Sequence, residues 1–550
     1  MSRRKPKLIE LGNEELDAIL ERSKTAPLSD EDRELLKATV ETLWWVMWEL
    51  EKEKTTLARL RKSLSITTKK TEKASEVLKG LDDADQPAGK LAEKSGEKAK
   101  TKKRKGHGRN GVDAYKGAEI IKVPHPLLKP GDLCLRCEEG PVYGMKPRRL
   151  VRLRGQTPIR ATVLELERLR CNLCDAIFTA PVPAGFGKKK YDETAAAMIA
   201  LLKYGSGMPW NRLERLESNL GIPLPASTQW ERVERDWPIL DLIRAELIRQ
   251  AAQGQIFYND DTTMKNLELL KKNEQIEKAG TKERTGMFTS GIVSTSEGRE
   301  IALFFSGRKH AGENLADVLK QRDSELGPPI QMCDGLPRNL PKDFETLLAN
   351  CLTHGRRHFV DIVENFPAEC RYVIETLAKV YKNDAITREQ KMSAEERMHF
   401  HKEHSAGLME DLECWMTEQL EQRKVEPNSS LGQAFSYMLK RWDKLTLFLR
   451  VPGAPLDNNI CERALKKAIL HRKNALFYKT EHGAEVGDTY MSLIYTAELA
   501  GVNPFDYLTT LLKHPEQVRR SPHEWMPWNY HATAVALAEA RDPPSGREST

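Results

Sequence analysis

The sequence contains no run of about 18 apolar residues and no hydrophobic signal segment. That excludes an ordinary membrane-spanning helix and leads to the expectation of a cytoplasmic protein with no membrane partner. It also lacks a strong charge excess, since 87 Lys and Arg against 80 Asp and Glu leave a net charge of +7 on 550 residues. Basic charge is therefore informative only where it clusters. Cysteine is sparse, with nine in the chain, and in a reducing compartment these are not expected to form disulfides. Apolar residues are sufficient: a 39% hydrophobic content can fill at least one large core, and the length predicts several domains.

The clearest charge cluster is TKKRKGHGR at 101–109, where Lys102, Lys103, Arg104, Lys105 and Arg109 supply five cations in nine positions. It lies in a stretch poor in apolar residues, read as a disordered linker over 81–122. Such a segment can follow a phosphate backbone, releasing counterions as each cation binds. A soluble spacer has the same composition.

Four of the cysteines form two pairs, Cys134-x₂-Cys137 and Cys171-x₂-Cys174. Facing CxxC knuckles give four thiolates for tetrahedral coordination of one structural Zn²⁺, and alternating segments such as VRLRG and TVLELERLR between them suggest the strands of a zinc ribbon over 123–183. A reduced, metal-free core is the alternative. The other five, Cys333, Cys351, Cys370, Cys414 and Cys461, are scattered and expected to be buried. Cys351-x₂-His354 could be half of a second metal site, with His399, His401, His404 and Cys414 as partners; a solvated helix accounts for those residues as well.

Near the N-terminus, Leu36, Leu43, Leu50, Leu57 and Leu64 recur every seven residues after a helix start at Ser29-x₂-Asp32. This pattern predicts a coiled coil within 1–80 that pairs protomers, so at least a homodimer is expected. The companion heptad positions Val40, Met47, Lys54 and Arg61 turn polar, which keeps an intramolecular helical hairpin open. Over 184–250 the segment NRLERLESNLGIPLPASTQWERVE resembles a helix-turn-helix, with Ser227, Thr228, Gln229 and Arg232 at the start of a recognition helix. Plain scaffolding fits that helical pair equally.

Three acidic residues organise the rest. Asp260 ends the β-run QIFYND, 285–307 reads as a hairpin turning at Ser296-Glu297-Gly298, AGENLADVLKQRD reads as a helix, and the short strand IQMC delivers Asp334 to a Gly-Leu-Pro turn. Glu462 lies later, in the helical stretch DNNICERALKKAIL. Two aspartates at strand ends and a glutamate on a helix can converge on two Mg²⁺ (or Mn²⁺) ions about 3.5–4 Å apart, the arrangement of a metal-dependent polynucleotidyl transferase. Each acid also has a plainer reading: a turn aspartate, a solvated strand end, or a capping box of Asn459 with Glu462.

The order of three strands, a helix and a strand resembles the ribonuclease-H-like fold of DDE transposases and retroviral integrases. More specifically, Asp457-Asn458-Asn459, Glu462-Arg463, Arg472-Lys473-Asn474, a following Leu-Phe, Gly, Ser-Leu, Thr, Gly and Pro, and Tyr507-Leu508 resemble the catalytic-glutamate block of the insertion-sequence-66 family of bacterial transposases. The resemblance extends to Asp260-Asp261-Thr262, to CLTHGRR at 351–357, to the paired CxxC motifs and to Pro527-Trp528. It implies a multidomain α/β protein with a ribonuclease-H-like core over 251–513, a helical insertion at about 367–450 and a tail over 514–550. Asp260, Asp334 and Glu462 would hold the Mg²⁺ pair.

The implied activity is recognition of terminal inverted repeats, nicking to free a 3′-hydroxyl, and transfer of that end into double-stranded target DNA, with small accessory proteins of the same element as further partners. Arg356 and Arg357 would neutralise phosphates, and Lys466, Arg472 and Lys473 would face DNA; surface ion pairs or a solvated basic face give the same patterns. Where the family shows Asp-Glu-Thr, this chain has Asp260-Asp261-Thr262, and Asp260 is the aligned ligand. Two rivals remain at this level: a catalytically silent DNA-binding regulator and a structure-specific Mg²⁺-dependent nuclease.

Overall fold

The computed structural model describes residues 29–42, parts of 124–190, and a body from 191 to 541 except 280–282 and 297, with the isolated positions 19, 22 and 77. Cys134, Cys137, Cys171 and Cys174 lie outside the described residues, as do Lys102, Lys103, Arg104, Lys105, Arg109, Leu43, Leu50, Leu57 and Leu64. Residues 30–42 are helical, and Ser29 Oγ accepts the Asp32 N–H at 3.1 Å, as a serine N-cap should. Residues flanking both CxxC pairs are joined antiparallel. Leu133 bridges Pro141, and β1 (Arg168–Arg170) pairs with β2 (Ile177–Thr179). Among the described residues, no helix is long and apolar enough to cross a membrane.

The body is built on a five-stranded mixed sheet of β3 (Ile256–Thr263), β4 (Phe288–Ser296), β5 (Arg299–Gly307), β6 (Ile330–Cys333) and β7 (Leu347–Asn350), in the order β5-β4-β3-β6-β7. β4 is antiparallel to both its neighbours, whereas β3, β6 and β7 run parallel. β6, buried along its whole length, needs no polar face, which is why IQMC reads as a continuous apolar-rich run. The hairpin and the IQMC strand lie where the sequence puts them. β3 departs from expectation: it does not end at Asp260 but runs on through Asp261 to Thr263, because β4 continues alongside as far as Phe288 opposite Thr263.

Register fixes the placement of the acids. Tyr258 pairs with Met332, and the same offset carried two residues onward sets Asp260 level with Asp334. By the pleat, residues two apart share a face, so both carboxylates emerge on one side of neighbouring strands.

The outer edge of β5 is closed by a helix. In chain order the longer helices up to residue 513 are α1 (Glu193–Ala200), α2 (Trp210–Asn219), α3 (Ala226–Ala251), α4 (Leu267–Ala279), α5 (Ala311–Leu319), α6 (Leu352–Ile362), α7 (Pro367–Glu389), α8 (Ala394–His404), α9 (Ala406–Glu421), α10 (Ser430–Leu439), α11 (Asn459–Ala475), α12 (Glu481–Leu499) and α13 (Pro504–Lys513); the shorter Trp442–Leu445 lies between α10 and α11, and Pro515–Arg520 and Tyr530–Arg541 follow α13. Along α12, Thr496 Oγ1, Ser492 Oγ and Asp488 Oδ2 accept the N–H groups of Ala302, Phe304 and Ser306 at 3.1, 3.0 and 2.5 Å. Four helical residues advance about 6 Å and two strand residues about 6.6 Å, so a polar residue every fourth position matches every second edge amide. An edge strand that would otherwise offer its amides to other chains is thereby capped. The Ser-Leu and Thr elements of the family-like block are part of this clamp.

One apolar core runs from Ala196 on α1 through α3, the sheet and α11 to Trp525 and Tyr530. α3 contributes Val233, Leu240, Ile243, Leu247 and Ala251 to it, and Trp237 Nε1 donates to Thr489 Oγ1 of α12 at 3.0 Å. No packing boundary therefore falls at residue 250. A second core gathers α6, α7, α9 and α10 against Met332 and Ala349 of β6 and β7. Two elements gave no sequence warning. α4 intervenes between β3 and β4, and β7 adds a fifth strand.

Candidate active site

Asp260 is held by a buried polar network. Its neighbour Asn259 donates through Nδ2 to the Asn339 carbonyl at 2.7 Å, and Gln331 Nε2 of β6 donates both to Asn259 Oδ1 at 2.9 Å and to the same carbonyl at 2.7 Å. Asn259, Gln331 and Asn339 are all buried, so each unmade bond would carry the full desolvation penalty. The network pins the short turn Pro337–Asn339 beside the strand ends. From that turn Asn339 Nδ2 reaches Asp334 Oδ1 at 2.7 Å and Asp260 Oδ1 at 3.4 Å.

Asp334 also acts as a turn residue, its Oδ1 accepting the Leu336 N–H at 3.0 Å. Gly335 adopts φ +78°, and a Cβ there would lie 2.9 Å from Asn350 Oδ1, so the tight turn after the aspartate requires glycine. From α10 in the insertion, Tyr437 Oη donates to the Asp334 carbonyl at 3.0 Å.

Glu462 arrives on α11, whose N-terminus is fastened to the sheet. Asn458 Nδ2 donates to the Asn259 carbonyl at 3.2 Å, and the Asn458 N–H points at Cys351 Sγ at 3.3 Å. Cys461 Sγ donates to the Gly291 carbonyl at 3.3 Å, directly across from Asp260 in the β3–β4 register. The helix thus crosses the sheet at Asp260. The capping-box reading of Glu462 fails on geometry: Asn458 is the N-cap, and the Asn459 N–H is taken by Asp457 Oδ1 at 3.1 Å. Glu462 instead faces α6, with Oε1 3.8 Å from His354 Nδ1 and Oε2 3.9 Å from Arg357 Nη2. Its buried Oε1 makes no hydrogen bond among the described residues.

Burial, reinforced by Asp334, pushes the Asp260 carboxyl up to about 7. The Asp260 and Asp334 carboxylates share one amide donor, and Glu462 Oε1 is buried without a hydrogen bond; these are oxygen donors of the kind a hard divalent cation takes. Among the described residues, ligand atoms lie within 4.8 Å of one another in Cys351, His354 and Glu462, not across the three acids. Burial pushes the Cys351 thiol up to about 11, which leaves it a protonated core group at neutral pH. The expected histidine partners are elsewhere: His401 is buried and bonded to Ser405 Oγ at 2.9 Å, whereas Cys414, expected inside, is exposed.

The other sequence candidates divide. Lys466 and Lys473 are exposed on α11, while Arg472 ties that helix to the end of β3 through Thr262 Oγ1 at 2.9 Å and the Thr263 carbonyl at 2.6 Å. The basic stripe expected to continue through His471 is broken there, because His471 is buried between Tyr204 and Tyr478 and burial lowers it to about 3. Arg356 and Arg357 are half-buried on α6. Ser227 is exposed, Thr228 half-buried, and Arg232 lies over the Tyr191 ring at 5.6 Å. Gln229 is fully buried, its Nε2 donating to the Leu224 and Trp210 carbonyls at 2.9 and 3.1 Å, so it closes the α2–α3 turn and faces no solvent. Asp261 sits apart from Asp260, paired with His310 Nδ1 at 2.8 Å and Arg338 Nη2 at 3.3 Å. Sequence alone did not point to Asn339, His310, Arg338 or Tyr437. None lies in a motif whose spacing marks it.

The family model described as "Transposase IS66 family" matches residues 188–486, more than half of the chain. Similar proteins include Uncharacterized protein y4jD of Sinorhizobium fredii (strain NBRC 101917 / NGR234), 27% identical over 395 residues that cover 68% of this chain and 73% of the relative. Uncharacterized protein y4hP of the same organism is 27% identical over 414 residues, covering 69% and 70%. No solved structure matches. The chain therefore belongs to the IS66 family of transposases.

Proposed function

We propose that this chain is the DDE transposase of an insertion sequence, with a ribonuclease-H-like catalytic core that binds terminal inverted repeats, cleaves a strand at the element end and joins the freed 3′-hydroxyl to target DNA. The observation that carries the reading is the pair of aspartates, one in β3 and one immediately after its parallel neighbour β6, sharing Asn339 Nδ2 beside the helix that bears Glu462. The strand order, with its antiparallel second strand, supports the fold assignment.

Asp260, Asp334 and Glu462 would hold two Mg²⁺ or Mn²⁺ ions, which when bound activate the attacking oxygen and stabilise the leaving one. The chain's own part is positional. The Asn259–Gln331–Asn339 network fixes the aspartates, and α11, anchored by Asn458 and Cys461, fixes the glutamate. Arg357 stands beside Glu462, where a phosphate would approach.

Structural Zn²⁺ on Cys134, Cys137, Cys171 and Cys174 is proposed on the thiolate spacing and supported by the antiparallel pairing of the flanking residues. End recognition is assigned to this module, the basic linker at 101–109 and the start of α3. Self-association is assigned to the N-terminal leucine repeat, and accessory proteins of the same element would join the assembly.

The test uses purified protein with Mg²⁺, labelled duplexes copied from the DNA flanking the gene, and target plasmid. Wild type should cleave and join. Asp334→Asn and Glu462→Gln should bind the ends without cutting, and undiminished strand transfer by Glu462→Gln would break the assignment.

A further inference from the structure

We propose that Arg441 is a phosphate-binding residue of this site, its guanidinium taking the non-bridging oxygens of a DNA phosphodiester lodged against Asp334; this rests on the strand-transfer reading above. Arg441 follows α10, and a Cβ placed on Gly335 would lie 3.1 Å from its Nε. The side chain is therefore packed on the backbone immediately after the second aspartate. Its Cζ sits 4.2 Å from the centroid of the Tyr437 ring. That ring is fixed in turn, its hydroxyl bonded to the Asp334 carbonyl at 3.0 Å and its face 4.3 Å from the His358 ring centroid.

The guanidinium is positioned yet left unneutralised. Among the described residues no carboxylate lies within ion-pair distance of Arg441, and its one hydrogen bond is a long contact of Nη1 to the Tyr437 carbonyl at 3.4 Å. Neighbouring arginines differ: Arg338 pairs with Asp261, Arg357 approaches Glu462, and Arg397 pairs with Asp384 at 2.6 Å. An arginine has five donors in a planar fork that matches phosphate, and stacking on an aromatic face reduces the freedom lost when those donors engage. An anionic strand entering an acidic site requires fixed positive charge at that point. Arg441 supplies it on the Asp334 side.

The test is a binding cycle carried out without metal, so that it does not depend on turnover. Full-length protein is titrated with short duplexes from the element end, each carrying one neutral methylphosphonate at a different position. Wild type should lose about ten- to hundredfold in affinity at one or two adjacent phosphates, the usual worth of a charge-assisted hydrogen bond. Arg441→Ala should bind the intact duplex that much more weakly and show no further penalty at those phosphates, with Arg441→Lys intermediate. Thermal melting of both variants checks that they fold.

If Arg441→Ala keeps the wild-type penalty at every position, or loses affinity equally for all duplexes, Arg441 contacts no particular phosphate and the proposal is overturned. The strand-transfer reading is judged separately by Asp334→Asn, which should keep the wild-type penalty yet not cleave in Mg²⁺. Cleavage by that variant would sink the strand-transfer reading while leaving the phosphate contact of Arg441 to stand or fall on the binding cycle.

Discussion

Asn339 Nδ2 lies 2.7 Å from Asp334 Oδ1 and 3.4 Å from Asp260 Oδ1, so a single amide leans on two carboxylates from neighbouring strands. Its backbone carbonyl is independently held by Asn259 and Gln331. Replacing the side chain should therefore leave the turn in place and remove only the donor. Asn339→Ala is expected to keep DNA-end binding and to slow metal-dependent cleavage about ten- to hundredfold, the effect of losing one hydrogen bond to a charged group. Asn339→Asp, which adds a third carboxylate, should be worse. Single-turnover cleavage rates decide it, and a wild-type rate for Asn339→Ala would remove the amide from the machinery.

Asp260 makes the metal-free protein sensitive to pH. Burial, with Asp334 beside it, holds its carboxyl at about 7 against an ordinary value of 3.8, so between those values the folded state binds more protons than the unfolded one. Stability must fall as pH rises through that window and level off above 7. The full span amounts to roughly 4 kcal/mol by linkage, an upper figure because the site relaxes when charged. In urea titrations with chelator, Asp260→Asn should flatten the decline between pH 5 and about 8 relative to wild type. Divalent cations compete with that proton, so Mn²⁺ affinity should weaken below about pH 7. Equal pH slopes for wild type and Asp260→Asn would remove Asp260 as the source.

Asp261 follows the residue that the family resemblance aligns as the ligand, and the pleat turns it to the other face. Its carboxylate is 2% exposed and occupied by His310 and Arg338. Asp261→Asn should cost about 1–3 kcal/mol of stability, as expected when a buried charge-assisted contact is weakened. Cleavage by the folded fraction should suffer far less than in Asp260→Asn. Paired denaturation and cleavage measurements would reverse the assignment if Asp261→Asn abolished cutting at unchanged stability.

The legible parts of this fold were those whose signal is local. The 285–307 hairpin and the buried strand before Asp334 follow from short-range pattern, and Ser29 caps its helix as its position suggested. Asp334 was legible because a carboxylate at a strand end followed by glycine is a recognisable unit, whereas Asp260 and Glu462 were singled out by the resemblance to the insertion-sequence-66 block. Illegible were residues whose role depends on long-range packing. Asn339 matters because Gln331 and Asn259 hold its carbonyl, and Arg441 because Tyr437 reaches Asp334 across 103 residues. His471 looked like one step of a basic stripe until Tyr204 and Tyr478 closed over it. Periodicity alone cannot say which side of a helix faces another layer.

Gln229 tests what the α2–α3 pair does. In a helix-turn-helix a polar residue on the first turn of the second helix faces the major groove, but here Gln229 Nε2 is spent on the Leu224 and Trp210 carbonyls inside the turn. Gln229→Ala should thus deprive one buried and one part-buried carbonyl of this donor and lower stability by about 1–3 kcal/mol, with little change in DNA-end affinity once folded protein is counted. Ser227→Ala and Arg232→Ala should behave in the opposite way if the start of α3 touches DNA, with stability held and affinity reduced. Arg232→Ala should also lower the salt dependence of binding by about one unit of slope if Arg232 meets a phosphate. Urea midpoints and end-binding isotherms at several salt concentrations separate these outcomes. Should neither Ser227→Ala nor Arg232→Ala alter binding, the pair is scaffold, and recognition of the ends passes to the zinc module and the basic linker.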